Sequence, residues 1–183
     1  AAELLWLTAA VAVAIRRAIR DCCPADVGIK WTNDLVIGKR KVCGILTELA
    51  AEADSGMLEY AVVGIGVNCF PPAGGFPEDL PEAGSVFTER PQGIEGRSQL
   101  AGAILNHFFK FYPNLAQRPF FEDYRKRSLV LGKEITVLEG NQTRTALALD
   151  LDQDFSLRVR EADGTERTLS SGEVRVRPAK DRS

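Results

Sequence analysis

Histidine is nearly missing from this 183-residue sequence, in which His107 stands alone. Cysteine is scarce too: Cys22, Cys23, Cys43 and Cys69 are the only four, and their spacing fits neither a zinc nor a redox pattern. A Cys/His metal site is hard to assemble from this set, and no metal-ligating residues are assigned. Cys43 and Cys69 lie in apolar, strand-like runs, where a free thiol behaves as a small hydrophobe; a reduced, cytoplasmic setting is expected. An excess of basic charge is also lacking. Lys and Arg number 23 against 25 Asp and Glu, a formal net charge of −2, whereas a broad nucleic-acid footprint needs clustered cations. No nucleic-acid partner is expected.

Long apolar runs are absent as well. The longest, Leu4–Ile15, covers 12 residues and ends in Arg16–Arg17, too short for a bilayer span of about 20 residues. A secretory signal would carry its positive charge before such a run rather than after it. No membrane association is expected. The sequence has no initiator Met and opens inside an Ala-rich helical pattern without a capping residue, so it reads as starting mid-domain. Internal repeats and low-complexity tracts are missing.

What remains is an ordinary globular composition, 45% apolar and 26% charged, enough for a real core. Residues 1–21 read as a core helix that ends before Cys23–Pro24. Gly28–Trp31 reads as a strand, Asn33–Asp34 as a turn, and Leu35–Ile37 as a strand running to the Gly38–Lys39 turn. Two longer strands, 41–50 and 58–69, flank a hairpin connection at Asp54–Ser55–Gly56. A loop carrying Pro71, Pro72, Pro77 and Pro81 follows, without a folded element. Apolar positions 101, 104, 105, 108 and 111/112 predict an amphipathic helix over Ser98–Tyr112, and a further helix is predicted over Pro119–Leu129. Past residue 131 the texture changes. ITVLEG, TALALDLD, FSLRVRE and EVRVR alternate at period 2, with turns at Gly140–Asn141, Asp163–Gly164 and Ser171–Gly172. Four or five short antiparallel strands there suggest a small barrel. Two units are expected, 1–131 and 132–183.

The most informative stretch is Val62-Val63-Gly64-Ile65-Gly66-Val67-Asn68. Side chains alternate across a strand, so Gly64 and Gly66 share one face and Val63, Ile65 and Val67 the other. With the hairpin centred at Ser55, Gly44 falls opposite Gly66 and Leu46 opposite Gly64, and three glycines gather into a shallow trough. Strand glycines serve either to admit a ligand or to let another backbone cross closely; the pattern alone leaves both readings standing. GIGVN is no dinucleotide fingerprint, because no third glycine follows and Pro71 precludes a helix there. Upstream, Asn33–Asp34 and Lys39-Arg40-Lys41 taken alone are best read as a turn and a solvated basic hairpin tip.

Together, however, KWTND (Lys30–Asp34), RKVCGILTE (Arg40–Glu48) and GIGVN (Gly64–Asn68), in this order and spacing, resemble the central motifs of biotin–protein ligases. The resemblance extends across essentially the whole chain. It implies an α+β fold: a mixed β-sheet with helices of the class II synthetase type, then a small SH3-like barrel. It implies a two-step activity, in which biotin is activated by MgATP to biotinyl-AMP and passed to a lysine of an acceptor domain on a carboxylase. Lys41 matches the lysine that contacts the biotin carboxylate and the α-phosphate. Asp34 matches an aspartate that orients or deprotonates the incoming lysine, with Asn33 beside it. Gly44, Leu46, Gly64 and Gly66 match biotin-lining positions, Val67 and Asn68 nucleotide-facing ones, and Glu173 and Arg177 a pair that influences ATP and acceptor binding.

Two departures stand out. Thr32 occupies a position where the family usually has proline, which loosens the turn that aims Asn33 and Asp34. The family's Gly/Arg-rich loop lies ahead of the helix with which this sequence opens, so this stretch by itself is expected to be impaired. Parity adds a demand: Lys41 and Gly44 differ by an odd number and would face opposite ways on a regular strand, so a bulge near Val42 is expected. Two other readings are a non-catalytic relative acting as a binding or assembly module, and a lipoate or octanoyl transferase on a related fold. Family members also pair through the central sheet, which makes a homodimer the expectation to test.

Overall fold

Alanine-rich sequence with Ile and Val on the inward positions favours helix and permits close packing. Accordingly, α1 runs Ala2–Cys22 in a computed structural model that describes residues 2–51, 58–89, 95–139, 142–171 and 173–176. Its Ala9–Ile15 segment is buried throughout, with Ala18 and Ile19, and packs against β3 and against α2 (Glu95–Phe111). The first sheet has the order β1-β2-β3-β4, all antiparallel: β1 Val27–Lys30, β2 Asp34–Ile37, β3 Arg40–Ala51 and β4 Leu58–Val67. Two isolated parallel bridges, Ile29 with Ser128 and Lys41 with Ala83, lie beside it. A 3₁₀ segment, Tyr112–Gln117, follows α2, and α3 spans Phe121–Arg127. Pro119 precedes α3 by two residues, in a turn rather than in the helix.

The second sheet is antiparallel, in the order β8-β7-β6-β5-β9: β5 Glu134–Glu139, β6 Gln142–Leu151, β7 Leu157–Glu161, β8 Glu166–Leu169 and β9 Glu173–Val176. The α+β class thus stands as read from the sequence, while the first sheet, expected to be mixed, pairs its described strands antiparallel throughout. The turn at Asp163–Gly164 is present, with Gly164 in the left-handed region at φ +88°. The expected turns at Asp54–Gly56 and Gly140–Asn141, Gly172 of the third, and Arg177 lie outside the described residues, as does the side chain of Glu173.

One hydrophobic core crosses the change of texture at residue 131, joining Ile15, Ile29 and Leu35 to Ile135, Phe155 and Leu157. At the junction Phe155 meets Phe120, Phe121 and Tyr124 with ring centroids 5.2–5.5 Å apart. Trp6 donates its indole N–H to Asp154 (3.1 Å), and Arg118 reaches the same carboxylate (2.8 Å) while lying over the Trp6 ring. Arg125 and Asp150 close the seam with a two-pronged ion pair. Gly28 is required on β1: a Cβ there would stand 2.4 Å from the Leu129 side chain.

Candidate active site

Two strands build the floor of the site. Gly44 pairs with Gly66 and Leu46 with Gly64, the register derived from the sequence. A Cβ built on Gly64 would meet nothing nearer than the Leu46 carbonyl at 3.6 Å, and one on Gly66 only the Gly44 carbonyl at 3.8 Å. The floor is bare backbone, open to solvent. On the opposite face Cys43 and Ile45 are buried, and Val63 and Val67 pack against the core. Ile65 departs from expectation: it is on that face yet 39% exposed. Leu46 projects from the glycine face and is 61% exposed. A side chain of that size forgoes about 1.5–3 kcal/mol by staying out of the core, so this face is not packed as one.

The bulge demanded by parity is present. Asp34 pairs with Gly44 and Leu35 with Cys43, but Val36 pairs with Lys41, so Val42 is the extra residue on β3. A bulge re-aims the side chains on either side of it. Lys41 consequently folds over Gly44, its Cε and Nζ 3.3 Å from the position of a Gly44 Cβ. The ammonium group pairs with Asp34 Oδ1 at 2.6 Å; the lysine is 49% exposed and the aspartate 17%. A trough of bare backbone with a cation at one end can hold a flat apolar ligand and meet its acidic group.

The neighbouring groups are committed elsewhere. Asn33 donates its side-chain amide to the Ile45 carbonyl (2.7 Å), and its own carbonyl accepts from Ile45 N–H (2.9 Å). Its amide therefore latches β2's approach onto β3 rather than facing the trough. The Trp31–Thr32 peptide bond is cis. Asn68 lies at the end of β4, exposed, with its N–H on the Val42 carbonyl (2.8 Å). Val67 turns its side chain to the core, leaving only its main chain for a ligand. Burial, with the charge of Asp34 adding to it, pushes the Cys43 thiol up to about 12. Burial and then Asp34 also raise the Tyr124 hydroxyl. Neither group supplies an anionic nucleophile at neutral pH.

Sequence reasoning missed two supports. The proline-rich loop has no helix or strand of its own, yet it is pinned along the site: Lys41 N–H to Glu82 O (2.6 Å), Gly84 N–H to Lys41 O (2.9 Å), Val86 N–H to Asn68 O (2.8 Å). Gly84 allows this approach, since a Cβ there would lie 2.5 Å from Arg40 Cβ. An open depression of about 600 Å³ lies between this loop and Arg40, lined also by Phe76, Pro81 and Thr88. The second support is Tyr124, which donates to the Thr32 carbonyl at 2.8 Å from a buried position. No local sequence pattern marks either contact.

Against known proteins, residues 2–68 match the biotin/lipoate A/B protein ligase family, and residues 130–177 match the biotin protein ligase C-terminal domain. The two matches fall in the family's order, one on each sheet. The chain is similar to biotin protein ligases over both stretches. Its curated relatives include the bifunctional ligase/repressor BirA of Bacillus subtilis, 28% identical over 171 residues, covering 90% of this chain and 51% of that protein. The biotin–[acetyl-CoA-carboxylase] ligase of Mycobacterium tuberculosis is 27% identical over 180 residues, covering 92% and 61% respectively. The chain thus spans about half the length of the curated relatives it matches. Among solved structures, the apo biotin protein ligase of Aquifex aeolicus superposes with a TM-score of 0.76 at 21% identity, over 96% of this chain and 76% of that one. The same ligase in complex with biotin and ATP gives 0.72 at 23%, over 95% and 72%. At these identities the structural likeness establishes the fold, and the likeness to biotin protein ligases in sequence rests on the two family matches.

Proposed function

We propose that the protein carrying this chain is a biotin–protein ligase, which joins biotin to a protein lysine at the expense of ATP. The observation that carries the reading is the Lys41 ammonium group lying over Gly44 at the end of a glycine-floored trough. Gly44, Gly64 and Gly66, with Leu46 at the side, receive the fused rings of biotin. Its carboxylate points to Lys41. A carboxylate oxygen attacks the α-phosphorus of MgATP, the bond from that phosphorus to the bridging oxygen breaks, and pyrophosphate leaves. Negative charge grows on the α-phosphate oxygens during this step, and a compact ammonium beside them stabilises it. The lysine amine of the acceptor then attacks the acyl carbon, AMP departs, and the amine gives up its proton. Asp34, adjacent to Lys41, orients that amine and accepts the proton.

Asn33 contributes by fixing the Asp34 segment. Val67, through its main chain, and Asn68 face the nucleotide, and Glu173 and Arg177 act on ATP and the acceptor. Among the described residues no group of three or more His, Cys, Asp or Glu could hold a metal ion. Magnesium enters in this reading as part of the MgATP substrate. The acceptor is a biotin-carrying domain of a carboxylase, the partner class printed in the name of the mycobacterial relative. A cytoplasmic site of action fits a soluble substrate set, and among the described residues no helix is long and apolar enough to cross a membrane. Strand β4 lies at the edge of its sheet, which suits pairing with a second copy.

The test is direct. The gene-encoded full-length protein is mixed with ATP, magnesium, biotin and an acceptor domain, and the acceptor is weighed. A gain of one biotinyl group is expected. No gain, or a lipoyl gain in a competition between biotin and lipoate, refutes the assignment.

A further inference from the structure

Four consecutive residues, Trp31 to Asp34, lead into the site, and each is held by a different partner. Asn33 is latched to Ile45 and Asp34 to Lys41, both within the first sheet. The other two are held from outside it. Trp31, buried, donates its indole N–H to the Phe155 carbonyl at 2.8 Å, and Tyr124 donates its hydroxyl to the Thr32 carbonyl at 2.8 Å. These two anchors are themselves one assembly, because the Phe155 ring packs edge-on against the Tyr124 ring at 5.3 Å. Both hydrogen-bond anchors at the start of the segment therefore meet at a single residue of the β6–β7 turn.

That residue is held in an unusual way. Phe155 has φ +63°, a left-handed conformation that a bulky side chain adopts only when its surroundings impose it. The β6–β7 turn imposes it. Asp152 Oδ1 accepts from Asp154 N–H and Ser156 N–H, both at 2.9 Å, while Phe155 N–H reaches Asp152 O and Asp152 N–H reaches Ser156 O, both at 3.0 Å. The turn is thus knotted around one carboxylate, and its tip is pressed into the first unit.

We propose that the Asp152–Ser156 turn is a positioning element for the site, with Phe155 holding Trp31 through its carbonyl and Tyr124 through its ring so that the 31–34 segment aims Asp34 at the trough. The inference rests on the ligase reading for the chemistry it affects. It assigns the second unit a role in the first through Trp31 and Tyr124, separate from the Glu173 and Arg177 positions. The two chemical steps should respond unequally. The Lys41 main chain is anchored by Glu82 and Gly84 on the far side, and only its ammonium group meets Asp34, whereas Asp34 itself depends on the segment. Loosening the turn should slow transfer to the acceptor lysine more than formation of biotinyl-AMP.

The experiment compares wild type, Tyr124→Phe, Asp152→Ala and Asp152→Asn in the full-length protein. Single-turnover transfer from preformed biotinyl-AMP and formation of biotinyl-AMP are measured separately. Transfer should fall about tenfold or more in Tyr124→Phe and Asp152→Ala, the scale of a misplaced reacting group, with adenylate formation within about twofold of wild type on that same scale. Asp152→Asn keeps the acceptor oxygen and should recover transfer. Transfer at the wild-type rate in the folded variants, or both steps falling together with stability, overturns the proposal. Should Asp152→Ala fail to fold, Tyr124→Phe, which deletes one oxygen, decides. Should wild type itself make no biotinyl-AMP, the ligase reading fails, and the side-chain carboxyl ¹³C signal of Asp34 decides the positioning separately. It moves in Tyr124→Phe while that of Asp163 stays if the turn aims the segment, and stays in both if it does not.

Discussion

Lys41 and Gly44 stand an odd number of positions apart on one strand, yet the lysine's Cε and Nζ lie 3.3 Å from where a Gly44 Cβ would be. The extra residue at Val42 makes this geometry, by shifting the pairing with β2 by one position. Without it, the cation and the bare floor would lie on opposite faces of the sheet.

The floor can be tested apart from the fold. Gly64→Val and Gly66→Val place side chains where the nearest atoms are 3.6 Å and 3.8 Å from the new Cβ. Strand glycines cost about 0.5–1 kcal/mol relative to alanine, and valine suits a pleated surface, so urea unfolding should show equal or slightly greater stability. Biotin binding measured by calorimetry should fall by more than tenfold, because the new methyl groups occupy the trough. Retained affinity would place the ligand elsewhere.

Removing the cation should separate chemistry from stability in the same way. The Lys41–Asp34 pair is half open to water on the lysine side, and such pairs contribute about 0–1 kcal/mol. Lys41→Ala should therefore leave the thermal midpoint within a few degrees, about the shift 1 kcal/mol produces. Pyrophosphate release should drop by about 10²–10³, the usual cost of losing one transition-state charge partner.

A buried charge elsewhere should behave oppositely. Arg16 in α1 is 2% exposed; it donates to the Val27 carbonyl and to Asp123 of α3, and burial lowers its pKa against the pull of that carboxylate. Asp123→Ala leaves the guanidinium buried without its partner, a loss of about 3–5 kcal/mol. The double variant Arg16→Met, Asp123→Ala should regain much of it. Chemical denaturation of both variants checks the sign.

Acid should loosen the seam between the two units. Hydrogen bonding from Arg125 holds the Asp150 carboxyl below its usual range. A depressed folded value means this contribution is complete above the unfolded-state value near about pH 4 and lost as pH falls through the lower folded value. Melting curves of wild type and Asp150→Asn should converge as the pH drops below about 4. A constant gap between them would show that the pair does not titrate with folding.

Much of this was legible in the sequence, because the strongest cues are local. Period-2 alternation put Gly64 and Gly66 on one face, a hairpin centred at Ser55 set the register, and the odd interval between Lys41 and Gly44 required the bulge. The amphipathic pattern found α2, with its start three residues late, since Glu95–Arg97 carry no apolar period. Other features depend on residues distant in sequence. Nothing near Phe155 marks its positive φ, and Trp31 and Tyr124 are about ninety residues apart along the chain but serve adjacent peptide units. Asn33, read beside Asp34 as a candidate for chemistry, is spent on the Ile45 main chain, a partner that only the folded sheet supplies.

The shared core has a consequence for how this protein can be taken apart. Phe155, Trp31 and Tyr124 are sealed by atoms from both sides of residue 131, so a cut there would strip each half of a wall. Swapping the C-terminal sheet between homologues would need to carry the α3 aromatic residues along with it. The visible seam in the sequence marks a change of architecture, and the buried core runs straight through it.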